Sequence, residues 1–120
     1  MAKKTLVIGA SEKEERYSNK AIRALRSHNH PVKAIGLRKG KVADVEFDKE
    51  KKQFDNIDTI TLYVGPKHQP EYYDYLVGLN PRRIIFNPGT ENQEFYDILK
   101  ENNIESEEAC TLVLLSTNQY

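Results

Sequence analysis

Short β-branched runs alternate along this chain with longer stretches in which apolar residues return every three or four positions. Thr5 to Ile8 is the first run; it stops at Gly9 and predicts a strand covered on both faces. After a polar loop, Ser18 is expected to open a helix with Ala21, Ile22, Ala24 and Leu25 on one side and Arg23 and Arg26 on the other. Asn29 suits a left-handed helix stop, and Pro31 prevents continuation.

Val32 to Leu37 predicts a second strand, and Val42, Val45 and Phe47, beyond Gly40, a short third one. Lys49 to Lys52 reads as a solvated charged loop. The strongest strand signal is Thr59 to Val64, ending at Gly65-Pro66. Pro70 fits the first position of a helix, and Tyr72, Tyr75, Leu76 and Leu79 follow at helical spacing until Asn80-Pro81. Arg83 to Phe86 predicts a fifth strand before Asn87-Pro88-Gly89. Thr90 and Gln93 match a capping box, in which each side chain satisfies a free backbone N–H at a helix start. Phe95, Ile98 and Leu99 supply the buried face of that helix, and Asn102-Asn103 ends it. Thr111 to Leu115 is apolar and fits a strand or a helix equally.

Strands alternating with helices imply β-α-β crossovers, hence an α/β, Rossmann-like three-layer fold with a mainly parallel sheet of about five strands. In such sheets ligands bind beyond the carboxyl ends of the strands, where strand order reverses. That rule gathers Gly9-Ala10-Ser11, Leu37-Arg38-Lys39, Val64-Gly65-Pro66 and Asn87-Pro88-Gly89 along one edge.

Composition narrows the ligand. The length of 120 residues suits one domain over 1–120. Eighteen basic and eighteen acidic residues leave no net charge. This argues against nucleic-acid or membrane-surface binding, so an anion site must be local. Cys110 is the only cysteine, which rules out an intrachain disulfide and suits a reducing compartment. Lys3 and Lys4 precede an apolar run far shorter than the roughly 7–15 residues of a secretory core. No stretch approaches the roughly 20 apolar residues of a membrane-spanning helix. The expectation is a cytoplasmic protein.

Gly9-Ala10-Ser11 would let a ligand approach the backbone, and the helix start near Ser18 and Asn19 offers N–H groups to a phosphate. An ordinary strand-to-helix turn accounts for these residues equally well, and the dinucleotide fingerprint G-x-G-x-x-G is absent. The second strand is more informative. Proteins that bind NAD usually carry an acid at its end for the ribose hydroxyls. Here Leu37-Arg38-Lys39 places cations there, which suits a ribose bearing a phosphate, as in NADP or coenzyme A. Solvated basic residues in a turn are the plain alternative. Gly65-Pro66 and Asn87-Pro88-Gly89 form rigid turns able to line an adenine or pantetheine slot, though either alone is ordinary loop punctuation.

Other chemistry is thinner. His28 and His30 are spaced like metal ligands but precede the second strand, at the opposite edge, and His68 is isolated, so no metal is expected. Cys110 is expected to be a buried structural thiol. Tyr72, Tyr73 and Tyr75 suggest an aromatic patch, yet Tyr72 and Tyr75 fit the packing face of their helix. No catalytic residue is identified.

Thr5-Leu6-Val7-Ile8-Gly9-Ala10-Ser11, then Arg16-Tyr17-Ser18-Asn19, then Asn87-Pro88-Gly89-Thr90-Glu91-Asn92 and Cys110, resemble the small bacterial CoA-binding domain proteins. These are single-domain relatives of the CoA-binding half of the succinyl-CoA synthetase α subunit. The resemblance covers nearly the whole chain. It implies that Gly9, Ala10 and Ser11 lie against coenzyme A or an acyl-CoA, with Tyr17 and Ser18 beginning the first helix beside it. It further implies that Arg38 and Lys39, after Leu37, approach the nucleotide phosphate, and that Val64-Gly65-Pro66 and Asn87-Pro88-Gly89 approach the adenine and the pantetheine arm. Where the family usually closes the second strand with Asn-Pro, this chain has Gly36-Leu37-Arg38. The expected function is a non-catalytic binding, carrier or regulatory module. The alternatives are an NADP-dependent oxidoreductase and an interaction protein on a Rossmann scaffold without a ligand. No protein partner is implied.

Overall fold

A computed structural model describes residues 2–120. Seven strands and four α-helices follow one another as β1 (Thr5–Ala10), α1 (Tyr17–Ser27), β2 (Val32–Gly36), β3 (Gly40–Val42), β4 (Val45–Phe47), β5 (Thr59–Leu62), α2 (Tyr73–Gly78), β6 (Arg83–Phe86), α3 (Gln93–Glu101), β7 (Glu105–Glu108) and α4 (Thr111–Ser116). A 3-10 turn, Pro70–Tyr72, leads into α2 with proline at its start, as expected.

Five strands form one sheet in the order β2-β1-β5-β6-β7, and every pairing in it is parallel. Strand order reverses between β1 and β5: from β1 the chain moves outward to β2, then returns to the other side of β1. The side chains divide by their alternation along each strand. Leu6, Ile8, Ile60, Leu62, Ile84 and Phe86 pack with Leu76, Leu79, Phe95 and Leu99 beneath α2 and α3. Val7, Ala10 and Ala34 pack with Ile22, Leu25, Val45, Phe47 and Leu115 on the face of α1 and α4. Among the described residues no helix is long and apolar enough to cross a membrane.

Several expectations are corrected. The predicted third strand is a hairpin, with β3 and β4 forming their own antiparallel sheet through Ala43 and Asp44. Ala43 takes the left-handed φ of 54° that such a turn requires. α1 begins at Tyr17, one residue before Ser18, because Arg16 supplies the extended N-cap position and Ser18 turns inward. β2 stops at Gly36 and leaves Leu37 exposed, while β5 stops at Leu62.

The Thr90–Gln93 capping box does not form. Asn92 is the N-cap of α3, its side-chain oxygen accepting the Phe95 N–H, whereas the Thr90 hydroxyl donates back to the Asn87 carbonyl. β7 was not anticipated, and Thr111 to Leu115 resolves as helix α4. The left-handed stop at Asn29 is present, with φ 64°.

Candidate functional site

The carboxyl ends of the strands meet in a continuous set of loops. Gly9 has φ 99°, and a Cβ there would lie 3.0 Å from the Tyr63 carbonyl oxygen, so the end of β1 is pressed against the segment that follows β5. A shift in register between Ile8 and Ala10 brings the Ala10 carbonyl to within 2.4 Å of where a Gly36 Cβ would be. Side chains are excluded at Gly9 and Gly36 by the protein itself. Asn19, buried in α1, donates from Nδ2 to the Ser11 carbonyl at 3.0 Å and accepts from Arg23 Nε at 2.9 Å, which fixes the loop after β1 to the helix.

On the other side of the switch point, Gln69 is fully buried. Its Nε2 donates to the carbonyls of Val64 (2.9 Å) and Thr90 (2.7 Å), and its Oε1 accepts from Asn92. One amide thereby joins the Val64-Gly65-Pro66 turn to the Asn87-Pro88-Gly89 turn. Sequence reasoning missed this residue, since a glutamine before Pro70 carries no periodic or compositional signal.

The predicted residues take distinct positions on this edge. Arg38 and Lys39 are exposed, and among the described residues neither forms an ion pair. Leu37 is 84% exposed and Tyr17 67%, the latter with the Lys20 ammonium 5.3 Å from its ring centroid. α1 starts without a side-chain cap, so its first N–H groups face this edge. At Gly65 and Gly89 an added Cβ would meet nothing within 4 Å. Both glycines therefore leave open space where a side chain would stand, although the Gly89 N–H donates to Glu91 Oε1 at 2.8 Å, and Gly89 holds a φ of 95° that only glycine adopts freely.

Ala10 and Asn87 serve the scaffold with their side chains. Ala10 packs in the core beneath α1. Asn87 is buried; its Nδ2 donates to Thr61 Oγ1 and the Leu62 carbonyl, and its Oδ1 accepts the Thr111 N–H at 2.9 Å. That amide holds the start of α4, where Cys110 is the N-cap. Cys110 is half-buried, not the buried thiol expected, because a helix N-cap lies at the surface end of the element. Nearby, the Tyr63 hydroxyl is buried without a hydrogen-bond partner, and burial pushes that phenol up to about 12.

The opposite edge holds His30. Its Nδ1 accepts the Lys3 N–H at 2.9 Å, and its ring packs edge-on against Tyr120. Burial, then the positive charges of Lys3, His28 and Arg83, lowers its pKa. A cleft of about 540 Å³ also exists, but between β2 and the hairpin, lined by residues such as Lys33, Glu46 and Phe54 and by none of the loops above.

A parallel sheet with a glycine turn after its first strand, an uncapped helix start and glycine turns at the switch point defines a Rossmann-like α/β domain, a class whose ligands lie at this edge. The groups present fit a phosphate-bearing adenosine nucleotide: cations without an ion pair among the described residues, an uncapped helix start, and open space over Gly65 and Gly89. A family model described as "CoA binding domain" matches residues 3–116. The chain belongs to that CoA-binding domain family. A crystal structure of an uncharacterized protein is 42% identical, with a TM-score of 0.97 over 100% of this chain and 99% of that one. Cell-free ID.343 from Thermus thermophilus is 19% identical, with a TM-score of 0.88 over 99% and 91% of the two chains. A hypothetical protein from Pyrococcus horikoshii OT3 is 23% identical, with a TM-score of 0.87 over 97% and 83%. These last two share the fold. Among curated proteins nothing matches the chain.

Proposed function

We propose that this protein binds coenzyme A or an acyl-CoA at the carboxyl edge of the sheet, as a carrier or regulatory module without turnover. The observation that carries the reading is the pair Arg38 and Lys39, exposed just after β2 and without an ion pair among the described residues, on the same sheet edge as the uncapped start of α1. These cations would take the 3′-phosphate. The pyrophosphate would lie over the loop Gly9-Ala10-Ser11 and the N–H groups of Tyr17 and Ser18, where the partial positive charge of α1 favours an anion. The backbone at Val64, Gly65, Pro66, Pro88 and Gly89 would flank the adenine and the pantetheine arm, with Asn87 holding its turn from within.

The equipment on this edge suits binding. Ser11 Oγ accepts the Lys13 N–H, and among the described residues no imidazole or carboxylate is hydrogen-bonded to Ser11 or Cys110. A nucleophile paired with an oriented base would be the sign of acyl transfer.

Thermal unfolding tests the reading. A ligand that binds only the folded state stabilises it by about 2.7 kcal/mol at a hundredfold excess over Kd. CoA should raise the melting temperature, and dephospho-CoA, lacking the 3′-phosphate, should raise it less. Equal shifts would remove Arg38 and Lys39 from the site; no shift with CoA would sink the reading altogether.

A further inference from the structure

The end of β2 lacks the acid that dinucleotide-binding sheets place there, yet a carboxylate reaches the same position from another element. Glu12 belongs to the loop after β1. Its Oε2 accepts the Lys41 N–H at 2.9 Å, just beyond the Leu37-Arg38-Lys39 turn. Gly40 makes room for it: a Cβ there would stand 2.7 Å from Glu12 Cγ and 2.8 Å from Cδ. The Glu12 carboxylate is thus held against the backbone at Gly40 and Lys41, directly after the turn that carries the two cations, with Oε1 free of any protein partner among the described residues. Of the acids nearby, Glu14 pairs with Arg23, and Asp48 with the Glu50 N–H and Lys52.

Two charges of opposite sign at one turn read the two ribose hydroxyls differently. A carboxylate accepts a hydrogen bond from a free hydroxyl and repels a phosphate, while the cations do the reverse. Building on the CoA reading, we infer that Glu12 sets which ribose isomer enters. It accepts the 2′-hydroxyl of an adenosine nucleotide whose 3′-phosphate lies on Arg38 and Lys39, and it rejects the isomer phosphorylated at the 2′ position. CoA has the first pattern and NADP the second, so Glu12 is the residue that separates the two cofactors on this scaffold.

Adenosine 3′,5′-bisphosphate and adenosine 2′,5′-bisphosphate are suitable probes, because they carry equal charge and differ only in the free hydroxyl. Calorimetry at low salt should show the 3′,5′ isomer binding at least roughly tenfold more tightly, as expected for one charge-assisted hydrogen bond. Glu12→Gln keeps an acceptor for the Lys41 N–H and should leave the unfolding midpoint unchanged. It should cut the preference to within about threefold, weakening the 3′,5′ isomer and admitting the 2′,5′ isomer. Glu12→Asp, which retains the charge, should continue to exclude the 2′,5′ isomer. An intact preference in Glu12→Gln, or none in the unsubstituted protein, would overturn the inference even if CoA itself bound. Failure of CoA and both isomers to bind would remove the CoA reading together with it.

Discussion

The two ends of the parallel sheet are built on opposite plans. At the amino end, most polar groups find partners within the protein: Lys3 Nζ donates to the Tyr120 carbonyl, Lys3 N–H to His30, Arg26 to the His30 carbonyl, and Arg83 to Thr59 and Glu107, with only its Nη2 buried and unpartnered among the described residues. At the carboxyl end, Arg38 and Lys39 form no ion pair among the described residues, the start of α1 has no side-chain cap, and Gly65 and Gly89 leave open space where side chains would stand. Both ends belong to the same strands, so the contrast does not come from the sheet. It comes from what the loops do with their exposed charges, since buried amides such as Gln69 and Asn87 tie the loops together at the carboxyl end too, and it sets apart the edge at which ligand binding is proposed.

The sharpest way to break this contrast is Gly9→Val. The residue stands at the carboxyl edge, but the atoms a side chain would strike belong to Tyr63, and its φ of 99° disfavours a branched residue. Strain and overpacking together should cost on the order of 3 kcal/mol. Urea unfolding without ligand would measure it. A loss of CoA binding with unchanged stability would mean that Gly9 serves the cofactor and not the fold.

A smaller effect belongs to the amino end. His30 has a lowered pKa in the folded protein, so the unfolded chain takes up its proton first as pH falls. The associated stability is fully present above the ordinary histidine value of 6.5 and is lost as pH falls from there through the folded-state pKa. Lys3, His28 and Arg83 face the ring and oppose the added charge. Unfolding midpoints measured from about pH 8 down to about pH 5 should decline, and His30→Asn, which keeps an acceptor for the Lys3 N–H, should flatten that decline. An equal slope in both proteins would assign the titration elsewhere.

The smallest change in stability is expected at Gly65→Ala. A Cβ there meets nothing and φ is not positive, so stability should move by no more than about 0.5 kcal/mol. CoA affinity should nevertheless fall. Unaltered affinity in this variant would take the Val64-Gly65-Pro66 turn out of the binding edge.

The parts legible in the sequence were those where burial enforces a period. The β1, β5 and β6 runs and the stripes of α1 and α3 announce themselves because each packs against a core. β7 did not, since Glu105-Ser106-Glu107-Glu108 carries no apolar side chain and owes its place to backbone pairing with β6. Residues 112–115 are apolar without interruption, and such a run fits either period until a neighbour selects one. The loops of the candidate site were found by a rule of topology, not by their residues. Gln69 and Glu12 escaped because each acts through a contact between segments distant in sequence, and Asn19 was legible for its backbone but not for the side-chain link to Ser11.

The strand hidden from pattern recognition bears on how copies of the chain meet. β7 is the outermost strand on its side, and a bare outer strand is a template on which another chain can crystallise its own backbone. Glu105, Glu107 and Glu108 put carboxylates along this border, two of them held by Arg82 and Arg83, and a second chain pairing here would have to disturb these ion pairs or meet the remaining charge of Glu108. On the far border, the Gly36 N–H donates to the Asp48 carbonyl, and the hairpin stands over β2 as a cornice. Runaway growth by strand addition meets charge on one flank and masonry on the other.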